Sequence, residues 1–306
     1  MPTKKETIVL LSLLAMWIIA TSIFIGLRPE HVFLAIAMAG LFLLCKTTRQ
    51  LIIALIPFAL FGISYDWMRI IPNYEVNAID IQGLYNAEKD LFGIATSQGI
   101  LTPNEFFQQH HWPFMDFLAG IFYLCWVPVP ILFGLGLYFT KKKNMYLRFA
   151  LVFLLVNLIG FAGYYIHPAA PPWYVMHYGF ELIPNTPGDV AGLGRFDEMT
   201  GLSVFNGLYT RNSNVFAAVP SLHSAYMVVT LYYAIKAKCP KWLCVVFAII
   251  MCGIWFTAVY SGHHYIIDVA LGTFCALLGI IVFEKVLMRS KRFSHFIQRY
   301  TSYIEA

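Results

Sequence analysis

Runs of predominantly apolar residues follow one another through most of this chain. The first, Ile8 to Leu27, already has the length of about 20 residues that carries an α-helix across the hydrocarbon of a bilayer. No water is available there to pair with the backbone, so each run must satisfy its own N–H and C=O groups as a helix. Composition agrees: 59% of the residues are hydrophobic and only 12% charged, against roughly 25% charge in soluble domains. The chain therefore reads as all-α, a polytopic membrane helical bundle. About eight transmembrane helices are expected, over residues 8–27, 31–45, 50–66, 114–139, 146–166, 217–235, 242–260 and 264–287. Lys4 and Lys5 give the N-terminus a signal-like shape, but no small-x-small exit follows the first run, which predicts an uncleaved first span.

Charge placement orients the bundle, because loops facing the cytoplasm are rich in Lys and Arg. With the N-terminus inside, the inner segments hold Lys4 and Lys5, then Lys46 and Arg49, then Lys141, Lys142, Lys143 and Arg148. They continue with Lys236, Lys238 and Lys241, and end with Lys285, Arg289, Lys291, Arg292 and Arg299, so that 16 of the 21 basic residues lie inside. A miscount by one span would scatter them. The five outer cations are Arg28, Arg69, Lys89, Arg195 and Arg211. The net charge of +5 thus reflects topology, and no basic run interleaved with aromatics points to nucleic acid. The six cysteines lie in or beside apolar spans or in a lysine-rich loop, without metal-ligand spacing, and read as packing residues.

Two long connections, about residues 67–113 and 167–216, then face outward. In the first, Asn86 to Ile94 reads as a short interfacial helix, and Thr102-Pro103-Asn104-Glu105 as the capped start of another. The second is dense in Pro and Gly, which suits fixed turns over a site.

All histidines but His295 fall at or near the outer face, where proton transfer near neutral pH is thereby favoured. His31, His110, His111 and His177 are read as satisfying loop hydrogen bonds. Two clusters stand above that background. In Ala218-Val219-Pro220-Ser221-Leu222-His223-Ser224, Pro220 is expected in the first turn of the sixth span. A helix start offers unpaired N–H groups and a positive dipole end to a phosphate; Ser221 adds a hydroxyl, and His223 lies in the same turn. The second cluster, Tyr260-Ser261-Gly262-His263-His264-Tyr265-Ile266-Ile267-Asp268, is expected to open the eighth span. Its i, i+4 spacing would put the His264 imidazole and the Asp268 carboxylate on one helical face. A carboxylate within a span is costly without a partner and a task, and orienting an imidazole is such a task. His263, His264 and Asp268 are also possible metal ligands, but adjacent histidines cannot both point along the face of Asp268, and no HExxH-type or cysteine spacing accompanies them.

Together, Pro-Ser-x-His and His-x-x-x-Asp resemble the second and third signatures of the type 2 phosphatidic acid phosphatase (PAP2) superfamily. The resemblance is closer still to its fungal-type inositol phosphorylceramide synthase branch, through Ala170-Pro171-Pro172-Trp173-Tyr174, Pro187-Gly188, Gly192-Leu193-Gly194-Arg195-Phe196-Asp197 and Tyr260-x-x-His263-His264-Tyr265-x-x-Asp268. The phosphatases' first signature, a Lys followed by Arg-Pro, is not found before Pro220, and Thr257-Ala258 stands where their third signature has Ser-Arg. Their phosphate-clamping basic residues are thus missing, as in the synthase branch.

The resemblance implies a PAP2-like catalytic core over residues 113–306, preceded by transmembrane helices and an outer interfacial segment over 1–112. It implies phosphoinositol transfer from phosphatidylinositol to ceramide, giving inositol phosphorylceramide and diacylglycerol. His264 would form a phosphohistidine, oriented by Asp268, while His223 protonates the leaving oxygen and then deprotonates the acceptor. No cofactor or metal is required. Ser221, His263, Arg195 and Asp197 are the expected substrate-binding residues, Arg195 for the phosphate and Asp197 for a polyol, with a loop-bracing Arg195–Asp197 ion pair as the plainer alternative. Trp173 and Tyr174 are expected in the bilayer-interface belt. Rival readings are a lipid phosphate or pyrophosphate phosphatase, and a lipid transporter or channel. The expected location is a bacterial inner membrane with the site facing the periplasm, or the Golgi lumen in a eukaryote.

Overall fold

The computed structural model describes residues 2–97, 99–210 and 214–305; Arg211, counted among the outer cations, lies outside the described residues. Fifteen α-helices are found among these, with one two-stranded hairpin. The first three are α1 (Lys4–Phe24), α2 (Pro29–Leu44) and α3 (Lys46–Trp67). The first outer connection folds as α4 (Gln82–Phe92), strands β1 (Ile94–Thr96) and β2 (Gly99–Leu101), and α5 (Pro103–Gln109). Next come α6 (Pro113–Leu124), α7 (Pro128–Phe139) and α8 (Lys143–Ile166). The second outer connection carries α9 (Pro172–Tyr178), α10 (Gly194–Thr200) and α11 (Val204–Tyr209). Last are α12 (Leu222–Lys236), α13 (Lys241–Tyr260), α14 (Ile266–Ile281), a π turn at Val282–Val286, and α15 (Lys291–Glu305).

Seven of the expected spans each correspond to one helix and the remaining one, 114–139, to the pair α6 and α7, though not all have spanning length. Among the described residues five helices are long and apolar enough to cross a membrane, and a sixth if α6 and α7, bent by 41° at their break, count as one span. Pro128, opening α7, accounts for the break, since proline cannot continue the hydrogen-bond ladder of a preceding helix. The remaining two, α2 and α12, have 16 and 15 residues. The sequence also misplaced two helix starts. Helix α12 begins at Leu222 with Ser221 as its N-cap, leaving Pro220 outside, and α14 begins at Ile266, leaving His264 ahead of it.

Helix α8 is the most enclosed: Tyr146, Leu147, Phe149, Val152, Phe153 and Val156 are fully buried, among α3, α7, α12, α14 and α15. Helix α1 buries only Thr21 and turns Ile8, Met16 and Ile23 outward, as a lipid-facing helix does. Gly272 allows α14 to close on α12, since a Cβ there would collide with the Ser221 carbonyl and the Ser224 hydroxyl.

The two outer connections are stitched together over the ends of these helices. Asp80 donates its N–H to Pro168 O (2.8 Å) and accepts from Ala170 N (3.0 Å), while Ala169 donates to Phe216 O (3.1 Å) just before α12. As expected, α5 is capped by Thr102 and Glu105, each side chain bonding the other's backbone N–H (3.3 and 2.8 Å). At the opposite end of the bundle α15 buries Ile297 and Ile304 against α3 and α8, and Gln50 donates to Tyr303 O (3.1 Å). Nearby, Arg148 and Lys236 converge on Glu284 in the π turn, where Tyr233 also donates (2.6 Å).

Candidate active site

The starts of α12 and α14 lie side by side. His223, in the first turn of α12, presents Nδ1 to Nε2 of His264 at 2.9 Å. On the far side of the ring, His264 Nδ1 is 3.5 Å from Asp268 Oδ2, and that oxygen also accepts the N–H of Tyr265 (2.9 Å). The three residues therefore form one line from carboxylate to imidazole to imidazole. The expected pairing of His264 and Asp268 is present, but not on a shared helical face. His264 sits in the turn between α13 and α14, and Asp268 reaches back to it as an N-terminal capping carboxylate of α14. The turn closes because Ala258 O accepts both the His263 and His264 N–H groups (3.1 and 2.9 Å), and because Gly262 adopts a φ of 78°, where a side chain would be strained.

At 3.5 Å the Asp268 carboxylate makes an ion-pair contact with His264 Nδ1, not a completed hydrogen bond. A carboxylate on that side favours a proton on Nδ1, and in that tautomer the Nε2 lone pair accepts from His223 Nδ1–H. Such an arrangement can supply a nucleophile with an orienting carboxylate behind it and a proton carrier in front.

Two residues the sequence reading passed over hold this turn from the first outer connection. Glu88 on α4 is fully buried and accepts the N–H groups of Ile266 (2.9 Å) and Ile267 (3.1 Å), the first two of α14. Burial raises its carboxyl above the ordinary value, opposed by those two N–H groups and reinforced by the charge of Asp268. Asn104 on α5 donates to Val259 O (2.8 Å) and to His264 O (2.9 Å). Glu88 follows Leu84, also buried, by one helical turn, so an amphipathic reading of α4 places it on the inward face.

Both histidines open onto a cavity of about 480 Å³, whose walls include Phe61, Tyr65, Trp126, Phe161, Leu222 and Tyr226, with His263 and Tyr209 beside the histidine pair. Trp126 packs edge-on to His223 with ring centroids 4.4 Å apart. The walls are apolar and aromatic, as a lipid's chains require.

The other expected site residues are placed as follows. Ser221 is buried, donates its N–H to Asp268 O (3.0 Å), and its hydroxyl has no partner among the described residues. His263 bonds Ser261 Oγ through Nδ1 (2.9 Å); burial and the neighbouring His264 push its imidazole down to about 3, the Asp189 carbonyl offsetting only part. Arg195 and Asp197 do not pair with each other and do not line the cavity. Arg195 donates through Nε to Asp116 (2.6 Å) and through Nη1 to Gln108 (3.2 Å), over the ring of Tyr260. Asp116 also accepts from the Tyr260 hydroxyl (2.9 Å). Asp197 accepts the N–H groups of Phe205 (3.2 Å) and Asn206 (2.8 Å), capping α11. Trp173 and Tyr174 are not in an interface belt. Both are buried under the outer cap, where Trp173 N–H donates to Gly262 O (2.9 Å) and the Tyr174 hydroxyl donates to Glu181 O (2.7 Å). Their position in a Pro-rich ordered loop outweighs the general preference of aromatics for the interface. His31, His111 and His177 each face a carboxylate, and His110 meets Phe106 O, as expected for loop-bracing histidines. Among the described residues no three His, Cys, Asp or Glu side chains are placed to hold a metal ion.

Comparison with known proteins bears on this geometry. The family model described as PAP2 superfamily matches residues 94–282. The chain is 61% identical to the phosphoinositol dihydroceramide synthase of Bacteroides thetaiotaomicron over the full length of both. It is 27% identical to the inositol phosphorylceramide synthase of Candida albicans over 81% of this chain and 50% of that one. With the catalytic subunit AUR1 of the Saccharomyces cerevisiae enzyme it shares 31% identity over 42% of this chain and 31% of that one. The matched part thus spans half or less of these fungal proteins. No solved structure matches the chain.

Proposed function

Because the chain belongs to the PAP2 superfamily, in its inositol phosphorylceramide synthase branch, we propose that it moves phosphoinositol from phosphatidylinositol to the primary hydroxyl of ceramide or dihydroceramide, releasing diacylglycerol. The observation that carries this reading is the His223–His264–Asp268 line at the head of an apolar cavity.

Phosphatidylinositol enters with its chains along the aromatic walls and its phosphorus in front of His264 Nε2. The Nε2 lone pair forms the P–N bond as the P–O bond to diacylglycerol breaks, and His223, which enters the step as the imidazolium, passes a proton to the departing oxygen. Asp268 stabilises the positive charge that His264 acquires. Diacylglycerol leaves and ceramide takes its place. His223, now neutral, removes the proton from the ceramide hydroxyl, whose oxygen attacks phosphorus from the face opposite Nε2; the P–N bond breaks and both histidines return to their starting states. Water is kept from the intermediate by the outer cap, tied down at Trp173 N–H to Gly262 O and at Gly192 N–H to Ser261 O (2.9 Å each).

In this reading eight helices span the membrane, α2 and α12 included, with the site on the outer face of a bacterial inner membrane. Residues 1–112 support a catalytic core over 113–306. Purified protein in detergent, given labelled phosphatidylinositol with and without ceramide, tests it. Ceramide-dependent labelled lipid is the expected result; free inositol phosphate or phosphate released without acceptor indicates a hydrolase and overturns it.

A further inference from the structure

The reaction proposed above requires hydrogen-bond donors for the non-bridging oxygens of the transferring phosphate, whose charge grows in the transition state. Among the described residues no lysine or arginine lines the cavity, and Arg195 is engaged by Asp116 and Gln108. Against that lack stands a group of buried polar atoms without a settled partner. The Tyr209 and Tyr123 hydroxyls lie within interaction reach of each other without completing a hydrogen bond, and among the described residues His263 Nε2 has no partner. Buried polar groups are rarely left so weakly paired, and a cluster of them calls for a ligand.

These groups surround the reacting histidines. The Tyr209 ring lies 4.3 Å from that of His263, and both residues line the cavity with His223 and His264. Tyr123, fully buried, stands behind them with its ring 5.7 Å from His263 and 5.1 Å from His223. They come from three elements, α6, α11 and the α13–α14 turn, which no local sequence constraint would bring together.

We propose that Tyr209 and His263 form an uncharged phosphate clamp, donating O–H and Nε2–H to the non-bridging oxygens in place of a cationic one, with Tyr123 as the positioning residue that orients the Tyr209 hydroxyl. The Ser261 hydroxyl and His263 Nδ1 are 2.9 Å apart; in the clamp Ser261 is the donor of this bond, which leaves the ring proton on Nε2, facing the phosphate. Both donors keep their protons without becoming charged: burial lifts the Tyr209 phenol well above its usual value and holds His263 neutral. A neutral clamp suits a phosphodiester, which carries a single negative charge, whereas the dianionic monoesters of phosphatases call for cations.

The clamp rests on the transferase reading, and two measurements separate their fates. The first is phosphoinositol transfer by wild type and Tyr209→Phe, which keeps the ring against His263 and removes the donor. The expected loss in kcat is roughly 10- to 100-fold, with the ceramide KM within about twofold and Tm unchanged; Tyr123→Phe loses less. His263→Gln, whose amide nitrogen can reach the Nε2 position, retains more turnover than His263→Asn, whose amide cannot. The second is the affinity of the detergent-solubilised protein for orthovanadate, followed by tryptophan fluorescence because Trp126 packs on His223. Tyr209→Phe is expected to bind it roughly tenfold more weakly. Wild-type transfer together with Tyr209→Phe turnover within threefold of it overturns the clamp and leaves the transferase standing. Absence of any ceramide-dependent transfer in wild type overturns the transferase, and vanadate then decides the clamp: equal affinity in both proteins, or binding by neither, removes it.

Discussion

At the scale of single residues, the proposed reaction depends on which nitrogen carries which proton. Asp268 accounts for this twice, accepting from the Tyr265 backbone and facing His264 Nδ1, so its charge and its direction are set by the same helix start. In Asp268→Asn the amide nitrogen can donate to His264 Nδ1, which moves the ring proton to Nε2 and removes the attacking lone pair. Turnover per folded molecule is expected to fall roughly 1,000- to 10,000-fold, with Tm nearly unchanged, and His264→Ala is expected to leave no measurable transfer. Activity above a few per cent in His264→Ala would remove it as nucleophile. Arg195 is the contrasting case, with its guanidinium binding Asp116 and Gln108 instead of lining the cavity. Arg195→Ala leaves Asp116 short of a charged partner at a cost of about 1.5–3 kcal/mol. Lowered Tm with turnover per folded molecule within about threefold is the expected pair of results; normal Tm with collapsed turnover would return Arg195 to the phosphate.

At the scale of elements, the catalytic turn is held from a segment nearly 180 positions away in the chain. Glu88 on α4 caps the first turn of α14, and its charged form is disfavoured chiefly by burial. A carboxyl raised in the folded state binds its proton more tightly there than in the unfolded chain. Its contribution to stability is thus fullest below the ordinary value of 4.5 and is lost as pH rises through the raised value. Glu88→Gln removes this dependence, so the wild-type advantage in Tm should shrink as pH rises from about 4.5; a difference constant across that range refutes it. What the sequence made legible at this scale was whatever local chemistry decides. The Thr102 to Glu105 cap, the apolar runs and the pairing of His264 with Asp268 all depend on neighbours within five residues. The exact openings of α12 and α14 were not legible, because they depend on Gly272 letting two helix ends meet and on the caps supplied by Glu88 and Asn104. Long-range partners leave no period or motif behind; Glu88 carries only the faint mark of a charged residue one turn after Leu84.

At the scale of the whole molecule, the charges and the histidines sort to opposite ends of the bundle, and the direction of that sorting decides where the chemistry happens. The segments at the end away from the histidine pair hold most of the Lys and Arg, and they are bound into the fold: Lys142 donates to Ala237 O (2.7 Å), while Arg148 and Lys236 meet Glu284. The opposite end holds the His223–His264 pair beneath two outer connections joined through Asp80, Ala169 and Phe216. Because the connections bond to each other and to the catalytic turn, one cannot face the cytoplasm while the other faces away, and the orientation of either fixes that of the site. Asp90 on α4, Glu198 on α10 and Arg299 on α15 are all exposed and suit a labelling test in a background freed of the six native cysteines, none of which is disulfide-bonded. Single cysteines at 90 and 198 are expected to react with an impermeant maleimide on intact cells, and one at 299 only after permeabilisation. Labelling of 90 and 198 together, but only in permeabilised cells, would reverse the bundle and put phosphate transfer on the cytoplasmic face. Labelling of one and not the other in intact cells would contradict the stitched cap itself, since no rigid arrangement with Asp80 bonded across to Pro168 and Ala170 can divide those two positions between the two sides of a membrane.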